Sequence, residues 1–354
     1  IGNRGKNGNQ IFFNGVCSAE EVLFCRRTMT VLLGAREVEV GDRVQTLAEG
    51  HKATVRYVGN VEGANPPEGW VGVEWDAEGR GKHDGEAKGT RYFTCPAGKG
   101  SFVRPDAMLA PSVSFQEALV EKYASKEAAS AEVSMPFRAS GGKKQAINVE
   151  FVGNEKEVKR MAKTDQLEVV TLLGLRIATA EQEEGWIKKN ATAISSLELD
   201  DNLLKDWQAV SDIAAQLPAL AVLSLSGNRL HPLTVAPSPS ISSAFPALKQ
   251  LVLNATGVTF AHLELLKGAL PMLEDLHMAS NNITSLDTSP SAPGAPISGW
   301  PSLRGLDLSD NALSTWEGDI DRLGSAFPGL QRLVLNGNKL SSLAFGGGEG
   351  GGFG

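Results

Sequence analysis

The sequence has no apolar run of about 18 residues, the length a membrane-spanning helix needs. The patchily apolar stretch 11–34 is interrupted by Glu20, Glu21, Arg26 and Arg27, a pattern that does not make a signal peptide. Cysteine is scarce. Cys17, Cys25 and Cys95 are too scattered for a disulfide framework or a zinc spacing, so a reducing cytoplasmic setting fits, with Cys95 as a small buried apolar residue. The five histidines (His51, His83, His231, His262, His277) show no metal-ligand spacing, and no metal or other cofactor is expected. A Gly-x-x-x-x-Gly-Lys-Ser/Thr phosphate loop is also missing, which argues against intrinsic nucleotide hydrolysis. Positive charge is in deficit, with 34 Lys and Arg against 41 Asp and Glu. The resulting net charge of −7 argues against bulk nucleic-acid binding.

What remains is a globular composition, 42% hydrophobic and 21% charged, in 354 residues. That length allows two or three domains. Residues 1–35 lack clear periodicity and are expected to be a disordered extension, with Met29 the expected native start. Residues 36–110 carry short β-runs such as Ala53–Val58 and Trp70–Trp75, broken by turns such as Gly63-Ala64-Asn65-Pro66-Pro67. Short strands with frequent turns over this length predict a small β-barrel. Within 111–147, Ser114-Phe115-Gln116-Glu117 is a capping-box pattern that opens an amphipathic helix through Ala118, Leu119 and Tyr123. Ser125–Lys144 then reads as a flexible linker. Asn148–Val152 is expected as a strand and Glu155–Lys163 as a charged helix.

From 148 to 345 the sequence repeats. The pattern Leu-x-x-Leu-x-Leu-x-x-Asn-x-Leu aligns in seven frames, at Leu172, Leu199, Leu225, Leu253, Met278, Leu308 and Leu335. Asn202, Asn228, Asn281, Asn311 and Asn338 fill the asparagine position, and Leu175 and Thr256 depart from it. Steps of roughly 25–30 residues are those of a leucine-rich repeat. Alternating apolar residues bury one face of each short strand, and an asparagine amide can bond the backbone of neighbouring turns. One coil cannot bury its face alone, so an α/β solenoid is expected. Its concave face would carry Glu198, Asp200, Asp275, His277, Asp307 and Arg332, an acidic excess suited to a neutral or basic partner surface. Pro232–Ser243 and Asp287–Ser298 read as solvated loops, and 346–354 as a glycine-rich tail.

The stretch with most chemistry is Gly81-Lys82-His83-Asp84-Gly85, set between Trp70–Asp76 and Gly100-Ser101-Phe102-Val103-Arg104-Pro105. Arg80, Lys82, Lys88, Arg91, Lys99 and Arg104 outnumber Asp84 and Glu86, so a basic island lies inside an acidic chain. Aromatic residues (Trp70, Trp75, Tyr92, Phe93, Phe102) interleave with it, which favours an acidic peptide as ligand.

These three runs resemble the CAP-Gly domain, with histidine where asparagine is usual. The barrel-then-repeat order over roughly 36–345 is similar to the tubulin-folding cofactor E family. That family continues into a ubiquitin-like domain not found in this sequence, so a fragment or shortened variant is expected. The resemblance implies recognition of acidic carboxyl-terminal tails ending in an aromatic residue, as on α-tubulin. Lys82, helped by Arg104, would neutralise the acidic groups. Trp75, Phe93 and Phe102, near Trp70, would hold the terminal ring, and Gly81 and Gly85 would admit the ligand backbone. Asp84 would order the loop or pair with Lys82. His83 would either pack the loop or touch the ligand, and in the second case mild acid would tighten binding. The implied function is that of a monomeric, non-enzymatic, cytoskeleton-associated tubulin chaperone working with other folding cofactors. A CAP-Gly microtubule adaptor is the alternative, but the coiled coil or basic Ser-rich flanks it would need are not found.

Overall fold

A computed structural model of the chain describes residues 31–33, 36–124, 164–287 and 300–340. The strand expected at Asn148–Val152, the charged helix after it, the 125–144 linker and the glycine tail lie outside the described residues, as does most of the 287–298 loop.

The first domain begins with β1 (Leu32–Leu33) paired antiparallel to β2 (Arg36–Glu37). Then come β3 (Arg43–Thr46), β4 (Lys52–Gly59) and β5 (Trp70–Trp75). The small hairpin β6 (Glu86–Ala87) and β7 (Thr90–Arg91) precedes β8 (Gly100–Val103) and β9 (Leu109–Ala110). Antiparallel pairing in the order β8-β5-β4-β3-β9 makes a five-stranded sheet. The alternation in Val71, Val73 and Trp75 aims these side chains into a core with Val44, Val55, Val103 and Leu109. Val31 and Leu33 are buried in the same core. Within the segment expected to be disordered, Val31 and Leu33 are thus ordered, because these apolar side chains have a core to enter.

The second domain is the expected solenoid. Its strands β11 (Val169–Thr171), β13 (Ser196–Glu198), β14 (Val222–Ser224), β15 (Gln250–Val252), β16 (Asp275–His277), β17 (Gly305–Asp307) and β18 (Arg332–Val334) form one parallel seven-stranded sheet in sequence order. Each of the seven frame residues follows its strand, and six of them are buried, with Leu335 only half-buried. The asparagines bond as the repeat requires. Asn311 Nδ2 donates to the carbonyls of Met278 (2.9 Å) and Leu308 (3.0 Å), while its Oδ1 accepts from the N–H of Asn281 (2.9 Å) and Ile283 (3.0 Å). Thr256 replaces part of that function, its hydroxyl donating to the Leu253 carbonyl at 2.9 Å.

Two segments differ from expectation. Ser114 and Glu117 form the expected capping box, Ser114 Oγ accepting from the Glu117 N–H at 3.1 Å. The helix Phe115–Leu119, however, buries Phe115, Ala118 and Leu119 in the solenoid core. Ahead of it, β10 (Val113–Ser114) pairs in parallel with β12 (Ile177–Thr179). Residues 113–123 thus cover the first coil, where Tyr123 Oη accepts from the N–H of Thr171 at 3.1 Å on the edge strand β11. Such a cover satisfies both the exposed apolar face and the open sheet edge. Residues 125–144 consequently follow the solenoid's own cap and do not separate the two domains. The second difference is in the Pro- and Ser-rich stretch, where Ser238 caps a short helix, Pro239–Ser242, that buries Ile241.

Candidate peptide-binding site

The Gly81–Gly85 loop is pinned by backbone bonds to the start of β8. The N–H groups of Lys82 (2.7 Å) and His83 (3.2 Å) donate to the Gly100 carbonyl, and the Gly100 N–H returns to the His83 carbonyl at 2.8 Å. So close a pairing needs residues without side chains. A Cβ on Gly81 would collide with the backbone of Lys99 and Gly100, and one on Gly85, whose φ is +105°, would collide with the Phe93 carbonyl. Both glycines are therefore required by contacts inside the fold, whatever else they admit.

Lys82 is exposed, and its ammonium pairs with no carboxylate among the described residues. The neighbouring cations are engaged. Arg91 binds Asp84 at 2.9 Å and Glu86 at 3.3 Å, Arg80 binds Glu49 at 2.7 Å, and Lys88 donates to the Gly63 carbonyl at 2.6 Å. Lys99 lies 3.8 Å from Glu78. Arg104 donates to the carbonyls of Glu68 (2.6 Å) and Pro66 (2.7 Å), with its guanidinium over the Trp70 ring at 4.4 Å. Arg104 thus holds the 66–70 turn, with no carboxylate partner for its charge among the described residues. Asp84 resolves toward ordering the loop through Arg91, not toward pairing with Lys82. Its carboxyl is held below the usual range by the Arg91 hydrogen bond.

Trp75, expected to hold a ligand ring, does not line a surface groove. It is buried in the barrel core, its Nε1 donating to Ser101 Oγ at 3.0 Å with the Arg80 guanidinium 4.7 Å from the ring centre. The aromatic surface is built instead around half-buried Phe102. Tyr92, Phe93 and His83 have ring centres 5.3, 5.5 and 5.0 Å from it, and Tyr57 lies at 6.2 Å. Phe93 is buried and seated on Gly72, where a Cβ would clash with its ring. Tyr57 was missed by sequence reasoning. Its only signal was aromatic character on a strand whose alternation is broken by the register shift between Val55 and Tyr57.

His83 packs the loop. Its Nδ1 accepts from the Gly85 N–H at 3.0 Å, which fixes a neutral ring with the proton on Nε2. Burial lowers its pKa, Asp84 opposes this, and Lys82 adds to the lowering. Cys95, expected to be buried, is only half-buried behind the loop, and burial raises its thiol pKa.

On the solenoid, the six expected face residues do alternate with the core. Arg332 reaches over Gly305 to Asp275 at 2.8 Å, a crossing only glycine allows, since a Cβ there would strike the Asp275 carboxylate. His277 Nδ1 lies 3.6 Å from Asp307, while Asp200 Oδ1 accepts from Ser224 Oγ at 2.6 Å and the Ser226 N–H at 2.8 Å. Burial raises the Asp200 pKa against those hydrogen bonds. At Asp307 burial acts upward too, but bonds from Ser309 and the nearby His277 bring the pKa below the ordinary value. Glu198 accepts the Leu172 N–H on its carbonyl at 2.8 Å, while its carboxylate has no hydrogen-bond or ion-pair partner among the described residues.

Among known families, residues 40–108 match the CAP-Gly domain. The chain is 36% identical over 331 residues to the tubulin-specific chaperone E of Bos taurus, a match covering 86% of this chain and 60% of the relative. It is 37% identical over 312 residues to that of Danio rerio (86% and 54%). It is 33% identical over 311 residues to the tubulin-folding cofactor E of Arabidopsis thaliana (86% and 55%). The chain spans somewhat more than half the length of these curated relatives. The barrel is thus similar to the CAP-Gly domain, and barrel and leucine-rich-repeat solenoid together are similar in sequence to the tubulin-specific chaperone E proteins over 86% of the chain.

Proposed function

We propose that this chain is a tubulin-folding chaperone of the cytoplasm and cytoskeleton. It takes the acidic carboxyl-terminal tail of α-tubulin on the barrel and the tubulin body on the solenoid, and it acts with other folding cofactors in assembly or disassembly of the α/β heterodimer. The observation that carries the tail site is Lys82, a cation without a carboxylate partner among the described residues, on a loop pinned beside the Phe102 aromatic cluster. An acidic tail supplies the missing counter-charge and an aromatic terminus the missing ring contact. Similarity running through the solenoid, and not through the barrel alone, favours a chaperone over a microtubule adaptor. The solenoid's Glu198 and Asp200, beside the internally paired Asp275, His277, Asp307 and Arg332, favour a neutral or basic body surface.

Calorimetric titration with a peptide ending Glu-Glu-Tyr tests the tail site. Lys82→Glu should keep the fold, because an exposed charge adds little stability, and should weaken binding at low salt. Deleting the terminal tyrosine should cost ~1–3 kcal/mol. Equal affinity for both proteins, or for both peptides, refutes the corresponding half of the site.

A further inference from the structure

Barrel and solenoid touch directly, and three charge pairs cross the contact. Lys52, on β4, reaches Asp201 in the turn after β13, its ammonium 3.0 Å from Oδ1 and also bonded to the Asp201 carbonyl. Asp42, ahead of β3, accepts from Lys205 at 2.8 Å. Asp76, at the end of β5, binds the barrel's own buried Arg43 at 2.8 Å and the solenoid's Arg229 at 3.1 Å. Gly41 lies against His231, close enough that a Cβ there would sit 3.1 Å from the imidazole. Apolar side chains meet there too: Leu33, Val38, Val44, Ala110, Ala178 and Leu203 line a junction cavity of about 30 Å³ together with charged Asp42, Arg43 and Lys205.

The covalent connection is very short. β9 ends at Ala110 in the barrel sheet and β10 begins at Val113 on the solenoid, leaving only Pro111 and Ser112 between them. The Pro111 carbonyl is itself held by Arg176 Nε at 3.1 Å. A barrel so tethered can rotate about two residues but cannot drift away. Its orientation is then set by the ion pairs, whose outer members remain reachable by solvent. The Arg229 side chain is 45% exposed and that of Asp201 62%. Pairs of this kind weaken as counter-ions screen them, over a Debye length near 10 Å at about 0.1 M salt.

We propose that Lys52–Asp201, Lys205–Asp42 and Arg229–Asp76 form an electrostatic latch that fixes the barrel's orientation on the solenoid, and that the barrel pivots about Pro111–Ser112 when the latch is screened or reversed. Latched, the loop carrying Lys82 and the solenoid face are presented in one fixed relation. A partner that engages both then meets a pre-oriented surface. Unlatched, each surface binds separately. The latch is a property of the free chain and does not depend on what the barrel loop binds.

Small-angle scattering of the full chain, without any ligand, tests it. Wild type in low salt should be compact. Lys205→Glu/Arg229→Glu in the same buffer should enlarge the radius of gyration, as the barrel swings out on its tether. Raising salt should move wild type toward the variant and leave the variant unchanged. Superimposable low-salt curves for the two proteins, with both melting cooperatively, overturn the proposal. Should the charge-reversed protein fail to melt cooperatively, Lys205→Gln/Arg229→Gln and the wild-type salt series decide. Expansion in both supports the latch, and expansion in neither overturns it.

Discussion

At the scale of single residues, chemical type was legible and engagement was not. Lys82 and Arg104 are both cations beside aromatics in the sequence, yet only Arg104 is held by the carbonyls of Pro66 and Glu68. Trp75 and Phe102 are both aromatic, but strand alternation turns Trp75 into the core and leaves Phe102 half-exposed. The replacement of asparagine by His83 has a consequence for pH. Its neutral ring accepts the Gly85 N–H, and its folded pKa lies below the ordinary 6.5. A group whose folded pKa is lowered contributes its stabilisation fully above the unfolded value and loses it as pH falls through the folded one. Protonation also removes the Nδ1 acceptor that orders the loop. Tail-peptide affinity should therefore hold above 6.5 and weaken as pH falls through the lowered folded value, where the peptide's own glutamates stay ionised. His83→Asn should flatten this profile. Tighter binding in mild acid would mean that His83 meets the ligand carboxylate directly.

At the scale of elements, the solenoid was legible because its physics is periodic. Strand alternation fixes which residues are buried, and the asparagine position fixes where backbone groups between coils are satisfied. The cap Val113–Tyr123 was legible only as a helix. Its capping box is local, while its packing against Ile177 and Thr171 depends on residues about 50 or more positions away. The asparagine ladder gives a graded expectation. Asn311 is buried and bonds two neighbouring coils, so Asn311→Ala leaves several buried backbone groups unpaired and should cost at least ~2 kcal/mol. Asn338 lies half-buried in the last described coil, with Leu335 beside it also half-buried, and Asn338→Ala should cost less. Urea denaturation of the two variants checks this. Equal midpoints would mean that coil position does not matter to the ladder.

At the scale of the whole molecule, two domains in the right order were legible, but their docking was not. The Lys52–Asp201 pair spans 149 positions with no pattern to announce it, and a linker-like composition at 125–144 invites the wrong tether. Acid should separate the contributions to the docked interface. At Asp76, burial acts upward, but hydrogen bonds and charge from Arg43, with Arg229 and Lys52, bring the folded pKa below 3.8. Its contribution is therefore complete above 3.8 and is lost only in stronger acid. His231 behaves differently. Burial lowers its pKa from 6.5, Asp206 opposes, and Arg56, Lys205 and Arg43 add to the lowering, because a charged ring would sit among cations. Its neutral-state contribution is full above 6.5 and declines as pH falls through the lowered folded value. Scattering against pH should then show a first expansion between about pH 6.5 and about pH 5, while Asp76 is still ionised. His231→Gln removes the titrating group and should abolish that first step while leaving the one below the carboxylate range. An unchanged radius of gyration in wild type down to pH 5 would remove His231 from the interface's pH response and leave Asp76 as its acid limit.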